Sequence, residues 1–271
     1  MDLLKGNKRL GIVLSVIGIL TGFLTLTLLA AIYMPVVDGK MLGGRPDEAI
    51  TVRIVFALLG WVGMTAGALW GAVLYGFIHD EKWAWGWGVA AATAQILAGF
   101  FPMIPPASIG LPMPTVWVFL IAFALWFGML FIGGVSYKII ALAFFGGLAY
   151  VLTFIDGVGA ISRYQTVEES FAIGMYAVGQ MVNWWGAVAW GVFIYALVKG
   201  KPWSIPAGIF AASMSIFGGY PVGITDVVRL GRFSMFLPAP LISTFLLVYL
   251  VLPASRQMIQ EWQAQAAEEE A

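Results

Sequence analysis

The chain has 271 residues, of which 61% are hydrophobic and 10% are charged, and its formal net charge is zero. A soluble domain carries about 25% charged residues, so this chain has more apolar side chains than a water-exposed fold could bury. Because the charges balance, no overall positive field favours nucleic acid, and DNA binding has no support in the sequence. With no cysteine and one histidine, the sequence also excludes disulfides, thiolate chemistry and bis-histidine haem. We therefore expect a lipid bilayer around the chain and no cofactor, metal or nucleic acid.

The first predicted element follows a short basic segment that contains Lys5, Lys8 and Arg9. The apolar run from 10 to 34 is about 25 residues long, whereas the apolar region of a signal peptide has about 7–15. We therefore predict a retained transmembrane helix rather than a cleaved signal.

Seven further apolar segments are long enough to be transmembrane helices, since a bilayer core requires about 20 helical residues. The run from 115 to 155 contains one charge and is too long for a single span, so Gly133 and Gly134 are expected to form a turn within it. The eight predicted spans are 10–34, 53–78, 84–102, 115–133, 138–155, 170–198, 203–220 and 236–254.

An internal repeat appears when the sequence is shifted by 120 residues. Flanking matches pair Asp38 with Asp156 and the segment 111–114 with 237–240, at slightly different offsets. Ungapped identities between 70–99 and 190–219 are Trp70/Trp190, Gly71/Gly191, Tyr75/Tyr195, Trp83/Trp203, Gly88/Gly208, Ala91/Ala211, Ala92/Ala212, Ile96/Ile216 and Gly99/Gly219.

The fold prediction is an all-α polytopic membrane protein with about eight transmembrane helices in two four-helix repeats. The repeats are parallel because four spans separate equivalent helices, which implies a pseudo-twofold axis along the membrane normal. The predicted divisions are 1–134, 135–254 and a soluble cytoplasmic tail, 255–271.

A small excess of Lys and Arg on one side favours cytoplasmic N- and C-termini in a cell membrane. The tail is either an interfacial stripe around Trp262 or a frayed, solvated segment.

Small residues recur every four positions in the second span, at Gly63, Gly67 and Gly71. This spacing allows two helix backbones to approach closely in lipid. The charged residues, in contrast, can all be assigned to loops, tails or span ends, with Asp156 at an outer end. That assignment predicts no buried proton relay and no carboxylate metal site.

Uncharged polar residues within the spans are the first candidates for binding a solute. Gln95, Asn183 and Ser215 are expected near the membrane midplane, and Gln95 aligns with Ser215 in the repeat. They would bind a neutral solute, or alternatively form interhelical hydrogen bonds that only stabilise the bundle.

The second candidates are Arg229 and Arg232 in the predicted outer loop before the last span. Their spacing would place both on one face of a short helix, where they could bind an anionic headgroup or substrate. The alternative is pairing with Asp226 in the same loop. Proline-broken segments at 101–114 and 220–240 predict either matching re-entrant loops or apolar loops that dock on a partner.

Three functions are compatible with these features. The first is a transporter or channel for a small neutral or weakly charged solute, along the interface between the repeats. The second is a non-catalytic subunit of a larger membrane complex, indicated by apolar loops and by the absence of buried ionisable groups. The third is an enzyme acting on lipid, for which Asp226 with two arginines is a poor catalytic set. No catalytic residue is assigned, and a non-enzyme is favoured.

Overall fold

A computed structural model describes residues 4–270, and the side chains of residues 4–268. Helices form 85% of the chain, and no strand occurs in the part that is described. The chain divides into two compact units, Met1–Val135 and Ser136–Ala271.

Unit 1 contains four long helices and one short one. Asn7 caps the first helix by accepting a hydrogen bond from the backbone amide of Leu10, and Pro46 begins the second at a position where no amide partner is needed. Its helices are α1 (Lys8–Leu42), α2 (Pro46–Ile78), α3 (Ala84–Phe100), α4 (Ile104–Ala107) and α5 (Val116–Ile132).

Helices α1 and α2 pack closely because glycines face each other across their interface. A Cβ atom added to Gly22 would lie 2.7 Å from the Cα of Gly67, and one added to Gly63 would lie 2.5 Å from a methyl group of Thr25. Gly71, by contrast, has nothing within 4 Å of such an atom. The predicted small-residue stripe therefore serves helix packing over its first two turns.

Unit 2 also contains four long helices, followed by a C-terminal one. Pro221 lies inside the third of these, and Gly231 ends it in a left-handed conformation with φ 63°. The helices are α6 (Tyr137–Thr166), α7 (Ser170–Val198), α8 (Ser204–Leu230), α9 (Pro238–Val251) and α10 (Pro253–Glu270).

The C-terminal helix α10 bends by 74° from α9 and packs on the turn between α7 and α8. Trp262 donates a hydrogen bond from Nε1 to the carbonyl of Leu197 at 2.9 Å, and Ile259 is fully buried. Gln263 bonds the carbonyl of Lys201 and the hydroxyl of Ser204. The predicted tail is thus an ordered helix whose apolar stripe is buried by its own unit, and not a frayed segment.

The α2–α3 turn of unit 1 and the α7–α8 turn of unit 2 have the same backbone geometry. Asp80 has φ 58° and Gly200 has φ 59°, and each follows a helix of matching sequence. The amide of Glu81 bonds the carbonyl of Gly76 at 2.8 Å, and Lys201 bonds Ala196 at the same distance. Asp80 is the one non-glycine residue with positive φ among residues 4–270, so this conformation is imposed by the turn.

Helices occupy all eight predicted segments, but they are not all long enough to be membrane spans. Within residues 4–270, six are long and apolar enough to cross a membrane: α1, α2, α6, α7, α8 and the combined segment Ala84–Ala107. The bent pair α9 and α10 would make a seventh, and α5 has only 17 residues. The coarse prediction of a multi-pass helical bundle is confirmed, whereas the count of eight spans is not.

Two sequence-based expectations about the outer segments are wrong. The stretch 220–230 is not a proline-broken loop, because α8 continues through Pro221 to Leu230. Helix α6 likewise continues past the predicted limit of 155 to Thr166, which places Asp156 inside the helix. Both helices are longer than predicted because apolar or small residues that face the core continue past residue 155 in α6 and past residue 220 in α8.

Candidate functional site

Among the described residues, three side chains that carry a formal charge at neutral pH are buried within helices, which corrects the expectation that all charges lie at span ends or in loops. Lys40 of α1, Asp156 of α6 and Asp226 of α8 are each 2% exposed. Lys40 and Asp226 have partners of opposite charge, whereas no ion pair is formed by Asp156 within the described residues. A buried ionisable group without a partner is costly and marks a candidate functional site.

A chain of hydroxyl groups crosses three helices in the middle of unit 2. The Oγ1 atom of Thr153 (α6) lies 2.9 Å from Oγ of Ser215 (α8), and Ser243 (α9) donates to that same Oγ at 2.8 Å. All three side chains are fully buried. The chain therefore places three neutral oxygen atoms next to one another inside the bundle.

Asn183 of α7 lies beside this chain with its hydrogen-bonding capacity unused. The side chain is fully buried, and neither its nitrogen nor its oxygen has a partner. Its amide faces Gly218 of α8, since a Cβ atom on that glycine would lie 2.6 Å from Oδ1 of Asn183. The missing side chain at position 218 is what leaves room for the amide.

The position of Asp156 follows from the contacts of its neighbours on α6. On α6 it is bracketed by Thr153, which bonds Ser215 of α8, and by Ala160, which packs in one cluster with Val222 of α8. Residues three or four apart share a helix face, so Asp156 faces the stretch of α8 between those two contacts, where Gly218 lies. Gly218 in turn contacts Asn183.

We name Thr153, Asp156, Asn183, Ser215 and Ser243 the polar cluster. Its members come from α6, α7, α8 and α9. Thr153 and Ser243 bond Ser215, and Asp156 lies on the same face of α6 as Thr153. Buried polar atoms without partners concentrate in and around it. Among the described residues these atoms belong to Asp156, Asn183, Trp184 and Trp190 in unit 2 and to Thr115 in unit 1.

Gln95, the unit 1 residue that aligns with Ser215, has no such unused capacity. Its Oε1 accepts from Nε1 of Trp70 at 2.8 Å, and its Nε2 donates to the carbonyl of Gly18 at 2.8 Å. The two bonds hold α1, α2 and α3 together, so the structural role considered for Gln95 is the one observed. In unit 2 the indole of Trp190, which aligns with Trp70 in sequence, lacks a partner, and the side chain of Ser215 bonds Thr153 and Ser243 instead.

The second candidate site contains Arg229 and Arg232, for which the sequence suggested pairing with Asp226. The ion pair of Asp226 is instead formed with Arg163. Asp226 bonds Nε of Arg163 at 3.0 Å and the hydroxyl of Ser234 at 2.8 Å. Arg229 approaches the hydroxyl of Tyr176, which also bonds Asp226. Arg232 is exposed just after α8. The ion pair links the C-terminal parts of α6 and α8 and accounts for Asp226 structurally.

Unit 1 has a comparable ion pair at Lys40, whose Nζ bonds the carboxylate of Glu48 and, at 2.6 Å, the hydroxyl of Ser108. Ser108 belongs to the predicted proline-rich loop 101–114, which starts with a 3-10 turn and the short helix α4. Pro102, Pro105 and Pro106 are buried there. The loop is therefore packed on its own unit and held by Lys40.

Sequence reasoning identified Asn183 and Ser215 but missed Thr153, Asp156 and Ser243. Asp156 was assigned to a span end because a charge was assumed to terminate the apolar run. The continuation of small and apolar residues from Gly157 to Ile161 was the available signal that α6 goes on. No pattern in the sequence reveals that Thr153 and Ser243 meet at Ser215, since this depends on tertiary packing.

The fold and the buried cluster define a class, that of multi-pass helical membrane proteins with a polar site inside one bundle. No known protein narrows this class further, because no protein-family model, curated protein or solved structure matches the chain.

Proposed function

We propose that the protein transports a small neutral or weakly charged solute across the cell membrane, and that the polar cluster of unit 2 binds this solute. The observation that carries the proposal is the amide of Asn183, which is fully buried and bonds nothing. Burying an amide without a hydrogen bond costs about 1–3 kcal/mol in proteins. A bound molecule with donors and acceptors would recover that free energy.

The chemistry of the cluster matches a small polar solute. Asn183 offers two donors and an acceptor, and the hydroxyl of Ser215 lies within the same segment of the bundle. Intramembrane polar groups that only stabilise a bundle pair with each other, as Gln95 and Trp70 do in unit 1. The contrast between the two units favours a binding role for Asn183. Ser215 already bonds Thr153 and Ser243, so in this proposal it contributes a neighbouring hydroxyl whose bonds would rearrange when the solute binds. Gln95 is accordingly excluded from the proposed site.

We also propose that the two units are repeats of one four-helix bundle. In this proposal α5 and α9 cross the membrane and bring the number of spans to eight, and both termini lie in the cytoplasm. Its support is the equal geometry of the turns at Asp80 and Gly200, at the offset of the sequence repeat. In each unit, moreover, successive long helices pack on one another and the last contacts the first. The flanking match of Asp38 with Asp156 adds no support, since Asp38 is exposed and Asp156 is buried.

The structure supports the two other functions less well. A non-catalytic subunit was suggested by the absence of buried ionisable groups, yet Lys40, Asp156 and Asp226 are buried. Its second support was the pair of apolar loops; prolines of the loop 101–114 are buried, while Phe233 and Met235 between α8 and α9 are exposed. A lipid-acting enzyme was suggested by Asp226, whose carboxylate is occupied by Arg163 and Ser234. Arg229 and Arg232 remain candidates for contact with anionic headgroups at the outer surface.

The test is solute flux in proteoliposomes that contain the full chain. Shrinkage and re-swelling of the proteoliposomes would be followed by light scattering, with urea, glycerol and glycine as separate probe solutes. Protein-free vesicles would give the background rate for each probe. We expect at least one probe to enter faster with protein present. Asn183→Leu is expected to reduce that flux at least tenfold, because it removes the amide and fills its space.

The matched control is Gln257→Leu, which removes an amide from the exposed face of α10. This variant should retain the flux of the original protein. Equal flux in Asn183→Leu and Gln257→Leu, with both proteins folded and reconstituted equally, would remove Asn183 from the pathway. No flux of any probe above protein-free vesicles would count against transport of this class of solute.

A further inference from the structure

We propose that the polar cluster also binds a monovalent cation, with sodium as the probe ion, through the carboxylate of Asp156 and neighbouring neutral oxygens. The inference rests on the proposed function for the location of the site. A cation could bind there even if no solute were carried, so the two proposals are tested by different measurements.

The first argument is the kind of atoms that the cluster presents. Hard cations prefer oxygen ligands, and every member of the cluster supplies one: a carboxylate from Asp156, an amide oxygen from Asn183 and hydroxyls from Thr153, Ser215 and Ser243. The hydroxyl oxygens already lie within 2.8–2.9 Å of each other along their chain. No sulfur or imidazole ligand belongs to the cluster, which disfavours zinc and copper.

The second argument is charge. Asp156 is the single ionisable member of the cluster, and the nearest basic residue along its helix face, Arg163, bonds Asp226. A lone carboxylate buried in an apolar bundle is strongly destabilising unless its charge is compensated. A monovalent cation would bring the site to zero charge, whereas a divalent ion would leave an uncompensated positive charge. Residues 4–268 contain no group of three or more acidic or histidine side chains that would hold a divalent metal.

The third argument is the backbone of α8 beside the cluster. Gly218 and Gly219 leave the space in which the amide of Asn183 and the ring of Pro240 lie. This turn of α8 therefore leaves space beside the amide of Asn183, because no side chain of Gly218 competes for it.

A proton or a water molecule would engage fewer oxygen atoms of the cluster than a cation would. Protonation would remove the charge of Asp156, and the resulting carboxylic acid could donate one hydrogen bond. A water molecule would not compensate the charge. A cation neutralises Asp156 and is bound by several oxygen atoms at once, and its binding follows the sodium concentration at constant pH, which protonation does not.

The test is thermal unfolding of the full chain, purified in mild detergent and followed by tryptophan fluorescence. Sodium chloride would be titrated against choline chloride at constant pH and constant ionic strength, because salt alone changes surface electrostatics. At sodium concentrations about 100 times the dissociation constant, selective binding to the folded state should raise the unfolding midpoint by about 5 °C. Binding of radioactive sodium to the same preparation should saturate near one ion per chain.

Two variants examine the site, and one serves as control. Asp156→Asn keeps the shape of the side chain and should abolish both the midpoint shift and sodium binding. Ser243→Ala removes one oxygen and should weaken sodium binding several-fold while the protein stays folded. Asp38→Asn changes an exposed carboxylate of α1 and should leave the sodium response unchanged.

The proposal is overturned if sodium and choline give the same midpoint, or if Asp156→Asn retains the full sodium response. An equal response to sodium and calcium would contradict the charge argument. Sodium binding without any solute flux would leave the cation site standing and remove the transport proposal. Solute flux that depends on Asn183, without any sodium response, would do the reverse.

Discussion

The indole Nε1 of Trp70 donates a hydrogen bond to the side-chain oxygen of Gln95 at 2.8 Å, while the indole of Trp190, which aligns with Trp70 in sequence, has no hydrogen-bond partner. Both tryptophans are fully buried. Among the described residues, buried side-chain atoms without a partner belong to one residue of unit 1, Thr115, and to several residues of unit 2.

The first prediction compares the two tryptophans directly. Trp70→Phe removes the donor of a buried hydrogen bond and leaves the oxygen of Gln95 unpaired, whereas Trp190→Phe removes an N–H that has no partner. Both variants lose similar apolar volume, so their difference isolates the hydrogen bond. We expect Trp70→Phe to lower the free energy of unfolding by about 1 kcal/mol more than Trp190→Phe does. Unfolding of each purified protein with increasing SDS in mixed micelles would measure this, and equal losses would contradict the contrast between the units.

The second prediction concerns the ion pair between Arg163 and Asp226. Asp226→Ala leaves Arg163 and the hydroxyl of Ser234 without their acceptor. Because Arg163 is about one third exposed, the loss should be below that of a fully buried pair, at about 2–4 kcal/mol. The same unfolding assay measures it. Asp38→Ala, at an exposed site, is the control and should change stability by less than about 0.5 kcal/mol; a loss of similar size in both variants would refute the structural role.

The third prediction uses the close contact of α1 with α2. Gly22→Ala places a methyl group against the backbone of Gly67, which cannot move aside as a side chain could. We expect the helices to separate and the free energy of unfolding to fall by about 1–3 kcal/mol. Gly71→Ala adds the same group on the same helix pair where nothing lies within 4 Å. This control should be neutral or slightly stabilising, because alanine favours helix more than glycine does.

The fourth prediction concerns topology and the number of membrane crossings. The natural chain has no cysteine, so single cysteines can be introduced without removing others. If all of the predicted spans cross, cysteines at Glu81 and Lys138 should be labelled by an impermeant maleimide only in inverted vesicles. Cysteines at Arg45 and Glu168 should be labelled only in intact cells.

The position of Lys138 distinguishes eight spans from fewer, because it follows the short helix α5. Labelling of Glu81→Cys and Lys138→Cys from opposite sides would mean that α3 and α5 together make an odd number of crossings, which contradicts the proposed topology. Labelling of both from the same side agrees with it.

Sequence patterns alone were sufficient for the class of the protein and for the position of its helices. The apolar runs predicted helices close to the observed ones, and Gly133 and Gly134 were correctly expected to separate α5 from α6. Apolar length is a local property of the chain, and a bilayer selects for it regardless of how the helices later pack. Asn183 and Ser215 could be selected for the same reason, as polar residues within such runs.

The tertiary structure decided which of these polar residues are satisfied. Gln95 meets Trp70 and Gly18 across 25 and 77 positions of the chain, and no local pattern encodes such a meeting. The burial of Asp156 also follows from packing, because a carboxylate is tolerated inside a helix only where neighbouring helices shape its surroundings. Hydrogen-bond satisfaction depends on contacts between distant segments, whereas hydropathy is carried by each segment alone, and this is why the sequence determined the bundle and the fold determined the site.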